Sequence, residues 1–262
     1  KAASVAADGL TDDQIANAYG AFGLYGVGDR GAGQRIAIYE NEPFLRSDIQ
    51  TFDTCYFGAR QASAMQRRLH VIAVDGGQPT GPGTGEASLD VEDVSALAPG
   101  ATIDVYEGPY TGANPTDYDS LNEYAAIVGA DRDRVVSTSW GLCEQSVQNG
   151  QAGIQQAENL LFQQAAAQGQ TVFSAAGDNG SDDCNTNQKP TPVKGQNLVS
   201  VDDPSSQPYV VAVGGTAIDD ARRPPLEQVW NGGPRGGSGG GGISQSWQMP
   251  AWQRTSRVPG IA

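Results

Sequence analysis

The chain has 262 residues, 38% of them hydrophobic, which suffices for one substantial core. Thirty Asp and Glu against sixteen Lys and Arg leave a formal charge of −14 and a sequence pI near 4.3, a balance that repels both a phosphate backbone and an anionic membrane. No apolar run reaches the length of a membrane span, and the opening KAASVAADG lacks the basic and apolar regions of an export signal, so a soluble chain with any signal already removed is expected, with neither nucleic acid nor membrane as partner.

Taken in chain order, Thr11 to Gln14 fits a capping box ahead of Ile15, Ala18 and Tyr19 at helical spacing, and Ser47 to Gln50 fits another ahead of Ile49, Phe52 and Tyr56. Short β-branched runs read as strands at 35–40 (RIAIYE), 70–76, 102–108, 134–140, 171–177 and 209–215. Helical patterns lie between most of them, at about 84–98, 116–129 and 152–168. Alternating strands and helices predict an α/β fold, a mostly parallel sheet with helices on both faces, in one domain spanning 1–262. From about 219 onward Gly, Pro and Trp dominate. Trp230, Trp247 and Trp252 bracket the tract GGPRGGSGGGGISQSW, which a free linker does not need, so a structured loop and edge strand are expected, with glycines admitting a second backbone closely.

Cys55, Cys143 and Cys184 contain no C-x-x-C pair and His70 is the single histidine, which argues against zinc. Either one intrachain disulfide leaves a third thiol over in an extracellular protein, or all three are buried and reduced. Asn179-Gly180-Ser181 matches a glycosylation sequon, a pattern short enough to arise by chance.

In such a sheet, ligands bind beyond the carboxyl ends of the strands. A Ser-His-Asp hydrolase fails there, because His70 stands at the start of its strand, and no G-x-S-x-G elbow exists. GPGTGE lacks dinucleotide-fingerprint spacing and no GK[ST] supports a P-loop. The loop from Asp178 resembles a calcium loop only superficially: Asp183 stands where an EF-hand needs Gly and Lys189 where it needs Glu, although a looser calcium site stays open. Carboxylate chemistry remains. GEASLDVED places Glu86 and Asp90 one turn apart on one helix face, while Glu92 and Asp93 rotate to other faces. Two acids held close share a proton, which suits a base working at acidic pH; a solvated acidic helix face is the competing reading.

The stretches DGGQPTGPGTGEASLDVEDVSALAPGA, VVSTSWGLCE, TVFSAAGDNGSDDC, YVVAVGGT, VWN followed by GGGGIS, and MPAWQ with RVP, in this order and spacing, resemble the sedolisin family of serine-carboxyl peptidases over nearly the whole chain. The resemblance implies a subtilisin-like fold and peptide-bond hydrolysis at acidic pH through a Ser-Glu-Asp triad. It makes Glu86 the general base and acid, Asp90 the residue that holds and tunes it, and Asp178 the protonated oxyanion-hole donor. Ser139, Trp140 and Gly141 correspond to the strand end that pairs with a polypeptide substrate, and Gly239 to Ser244 to the opposite wall of the cleft. Cys143 and Cys184, following the SWG and GDNG turns, are the preferred disulfide.

The family's serine lies in a later G-T-S motif and its calcium site later still, so both are expected outside this chain, with calcium as cofactor of the complete domain. Gly260 also replaces the family's usual Asp after the V-P pair. The domain therefore reads as incomplete at its C-terminus. A mature peptidase nicked into two chains, with the serine on a C-terminal fragment of the same precursor that Cys55 could tether, is preferred over a truncated chain. The expected activity is an acid endopeptidase, with a tripeptidyl peptidase or a non-catalytic binding domain as alternatives. The expected location is secreted or a lysosome-like acidic compartment.

Overall fold

A computed structural model describes residues 9–77, 85–109, 119–184, 199–233 and 236–254, and all structural statements below concern those residues. In chain order they form α1 (Asp12–Ala18), α2 (Ala21–Gly26), β1 (Arg35–Glu40), α3 (Arg46–Phe57), α4 (Ala59–Gln66), β2 (Leu69–Ala73), α5 (Gly85–Leu97), β3 (Thr102–Glu107), α6 (Asp119–Ala130), β4 (Val135–Thr138), β5 (Leu142–Cys143), α7 (Glu144–Gln168), β6 (Thr171–Ala175), β7 (Asp202–Asp203), β8 (Val210–Val213), β9 (Thr216–Asp220) and β10 (Leu226–Val229).

Six strands make one parallel sheet in the order β2-β3-β1-β4-β6-β8. Period-two alternation along each strand sends side chains to two cores. Ile38, Ile103 and Val105 face α3 and α5, packing with Ile49, Ala87 and Val91. Ala37, Tyr39, Tyr106 and Val136 face α6 and α7, where Tyr124 stacks on Tyr39 and meets Phe162 edge to face. The sheet is thus covered on both faces, a subtilisin-like arrangement. Ile49 is fully buried, and truncating it to Ala costs about 3 kcal/mol.

Boundaries moved where tertiary contacts or glycines decide them. β2 stops at Ala73 because Asp75, Gly76 and Gly77 all take left-handed backbone angles. The capping box at Thr11 and Gln14 is present, whereas α3 starts at Arg46 without a side-chain cap and Ser47 Oγ donates to Asp48 instead (3.2 Å). Gly58, at φ 79°, separates α3 from α4, a break that helical periodicity alone does not reveal. α7 begins at Glu144, ahead of the expected 152, because buried Val147 and Ile154 anchor a turn sequence that Gly150 and Gly153 weaken. The first part of the helix expected at 116–129 lies outside the described residues. The glycine tract is structured but forms no edge strand. Ser238 makes single bridges to Asn179 and Asn231, and the nearby antiparallel pair is β9 with β10.

His70 has a structural part at the start of β2. Its Nδ1 lies 2.7 Å from Oδ1 of buried Asp104, which also bonds Arg35 and has Arg132 at 3.2 Å, tying together the starting ends of the strands. Cys143 and Cys184 form a disulfide with a Cα separation of 5.0 Å, and Cys55 is free and exposed.

Candidate active site

α5 is held to the sheet by Ala87 and Val91, both fully buried, and this fixes the rotation of the helix. Glu86 and Asp90 then project together over the carboxyl end of β4. Ser139, one residue past β4, places its single Oγ–H between Asp90, at 2.8–2.9 Å, and Glu86, to one of which it donates at a time. Burial, followed by the charge of Asp90, raises the pKa of Glu86, while the Ser139 bond lowers it. Burial likewise raises Asp90, opposed by its bonds to Ser139 and Glu40.

Glu40 was not among the residues expected here. It ends β1, is fully buried, and accepts the indole N–H of Trp140 on Oε2 at 2.9 Å. Burial, ahead of its interactions with Asp90, pushes Glu40 up to about 9. A neutral Glu40 donates to the Asp90 carboxylate, so one hydrogen-bonded chain runs Glu86, Ser139, Asp90, Glu40, Trp140. Behind it, buried Glu123 accepts the Glu40 backbone N–H at 3.0 Å and burial pushes it to about 9. A Cβ on Gly108 would stand 2.1 Å from Glu123 Oε2, so only glycine fits that strand end. Glu40 carries one sequence signal, a carboxylate closing an otherwise apolar strand at its ligand-facing end. Glu123 carries none, since its role depends on how α6 packs.

Asp178 lies three residues past β6, after Gly177 at φ 92°, and is exposed. Its charge reaches Glu86, and its carbonyl accepts Ser238 N–H at 2.8 Å. The glycine tract forms the adjoining wall. Gly240 N–H donates to Gly177 O at 2.8 Å, and a Cβ at Gly240 would meet Ala176 O at 1.8 Å, so the expectation of close backbone approach holds here. Buried Glu144 anchors the end of the wall by accepting Ser244 Oγ–H and the backbone N–H of Gln245 (2.8 Å) and Ser246 (3.3 Å). Of the segment 139–141, the Ser139 and Trp140 side chains point into the acid chain, which leaves backbone to face a ligand. A cavity of about 580 Å³ between Tyr209, Trp247 and Trp252 holds none of these carboxyls.

The outer acids of GEASLDVED are not simply solvated. Asp93 is exposed, but its carboxyl bonds Asp12 at the start of α1, and desolvation on that side, then Asp12, push it up to about 7.

The profile of the subtilase family matches residues 71–253. Kumamolisin of Bacillus sp. (strain MN-32) is 38% identical over 98% of this chain and 43% of its own length, and dog tripeptidyl-peptidase 1 is 29% identical over 89% and 38%. The chain therefore spans less than half of these relatives. Among solved structures, Pseudomonas sedolisin, a serine-carboxyl proteinase complexed with two molecules of pseudo-iodotyrostatin, aligns with a TM-score of 0.73 at 25% identity, covering 96% of this chain and 67% of that one. With the six-stranded parallel sheet and the carboxyl chain at its ligand-facing end, the matches lead to one conclusion: this protein belongs to the subtilase family and, within it, to the sedolisin family of serine-carboxyl peptidases.

Proposed function

We propose that the chain carries the acid half of an endopeptidase active site, acting on polypeptides at acidic pH in a secreted or lysosome-like setting, with its nucleophilic serine on a C-terminal segment of the same precursor. The observation that carries this is the continuous chain from Glu86 to Trp140. Glu86 takes the serine proton as the hydroxyl attacks the peptide carbonyl, then returns it to the leaving amine. Asp90, held on one side by Ser139 and on the other by neutral Glu40, orients Glu86 and answers its change of charge. Asp178, when protonated, donates to the oxygen of the tetrahedral intermediate. The base must be ionised and the oxyanion donor neutral, so activity is confined to a band of acidic pH. Backbone of Ser139 to Gly141 and of the glycine tract supplies the two walls for an extended substrate. The calcium ion of the complete domain is assigned to residues outside this chain and takes part in none of these steps.

Casein digestion by the protein combined with its serine-bearing segment, between about pH 3 and 7, tests the proposal, with Glu86→Gln as control. Acid activity abolished by the substitution is expected; no acid activity, or activity indifferent to E86Q, defeats it. Product lengths separate the tripeptidyl alternative, which releases only tripeptides from free amino termini. Intact mass analysis decides whether the serine arrives on a separate fragment.

A further inference from the structure

The two loops framing the carboxyl site, 139–143 and 177–184, are joined behind it by a second pair of acids that the mechanism above does not use. Asp202 on β7 and Asp183 are each 6% exposed, and their carboxyls share a hydrogen bond. Each fills the space beside a glycine of one loop. A Cβ on Gly141 would stand 2.0 Å from Asp202 Oδ1, and a Cβ on Gly177 would stand 2.5 Å from Asp183 Oδ1 and 3.2 Å from Asp202 Cβ. The same frame is closed by the pairing of Cys143 with Asp202, by Asp183 N–H donating to Ser200 O at 3.3 Å, and by the Cys143–Cys184 disulfide.

A bond between two carboxyls needs one proton. Burial, then the charge of Asp183, pushes Asp202 up to about 10, which makes Asp202 the donor and Asp183 the acceptor. Asn179 Nδ2 also reaches Asp183 Oδ1, at 3.5 Å. The charged groups acting on the pair are Asp178 and Asp182 from the turn and Asp203 from β7, with Glu144 acting through Asp203. All are acidic, so loss of the shared proton adds repulsion to a site already crowded with like charge.

We propose that Asp202 is a positioning residue for peptide-bond hydrolysis: by donating to Asp183 it locks the Gly177–Asp178 turn against the Ser139–Gly141 segment, setting where Asp178 meets the reacting carbonyl. This rests on the role assigned above to Asp178.

Asp202→Asn and Asp202→Ala in the complete peptidase test it. The amide of D202N donates to Asp183 as the protonated carboxyl does, so kcat stays within about threefold of wild type and the acidic pH profile keeps its shape. D202A, lacking a donor, loses about 10- to 100-fold in kcat with little change in KM. A wild-type kcat in D202A overturns the proposal, as does an equal loss in both variants. Should D202A fail to fold, a loss of about 10-fold or more in the kcat of D202N is sufficient to overturn it. Amide hydrogen exchange across 176–184 provides a readout independent of turnover. Protection retained in D202N and lost in D202A supports the lock, and equal exchange in all three overturns it. A wild-type protein that cleaves nothing defeats the proposed function alone, and the exchange measurement still decides the role of Asp202.

Discussion

Replacing Glu40 by Gln asks which residue of the acid chain holds the proton. Glu40 is fully buried, its ordinary value is 4.5, and burial with the neighbouring Asp90 raises it to about 9. At pH 7 the folded protein therefore keeps Glu40 protonated while the unfolded chain ionises it. The sign follows from the raised value: the contribution of Glu40 to stability is complete below 4.5, declines as pH rises, and is gone near 9. Between 4.5 and pH 7 an isolated group loses about 3 kcal/mol, and sharing the proton with Asp90 brings this to about 2 kcal/mol. Gln keeps the shape, accepts the Trp140 indole and donates to Asp90 without titrating. E40Q is therefore expected to melt like wild type at pH 4 and about 4–8 °C higher at pH 7, at roughly 2–4 °C per kcal/mol for a domain of this size. Melting curves by circular dichroism at both values decide. A uniform loss at both, or a wild-type slope between them, means that Glu40 is ionised in the folded protein and that the proton assignment is wrong.

Ser139→Ala removes the bond that lowers Glu86 and Asp90, so both rise further and the acid limb of kcat/KM moves to higher pH; an unmoved limb places Ser139 outside the acid chain. Gly240→Ala forces a Cβ against the Ala176 carbonyl and should cost about 3 kcal/mol or more, whereas Gly153→Ala, in the interior of α7 with nothing within 4 Å, should stabilise by about 0.5–1 kcal/mol; denaturant midpoints compare the two. Reducing the Cys143–Cys184 bridge, whose cysteines stand 41 residues apart, should lower stability by about 4 kcal/mol, read as the shift of the urea midpoint with and without reductant.

Much of the fold and part of the site are written in local pattern. Strand and helix alternation follows from periods of two and 3.6, which any neighbouring residues reveal, and the pairing of Glu86 with Asp90 follows from one turn of α5. The close approach of the glycine tract was also foreseeable, because three tryptophans in a loop need something to pack on. Other features were set by partners distant in sequence. Glu40 meets Trp140 a hundred residues on, and Asp202 on β7 meets Asp183 beyond β6, so local periodicity reveals neither bond. Asp93 looks like a wet acid until α1 brings Asp12 against it. Composition alone determined that this protein carries an excess of acid that neutral water would solvate. Only the tertiary structure decided which of those acids leave water, and desolvation, by keeping their protons on, turns a surface charge into a buried donor.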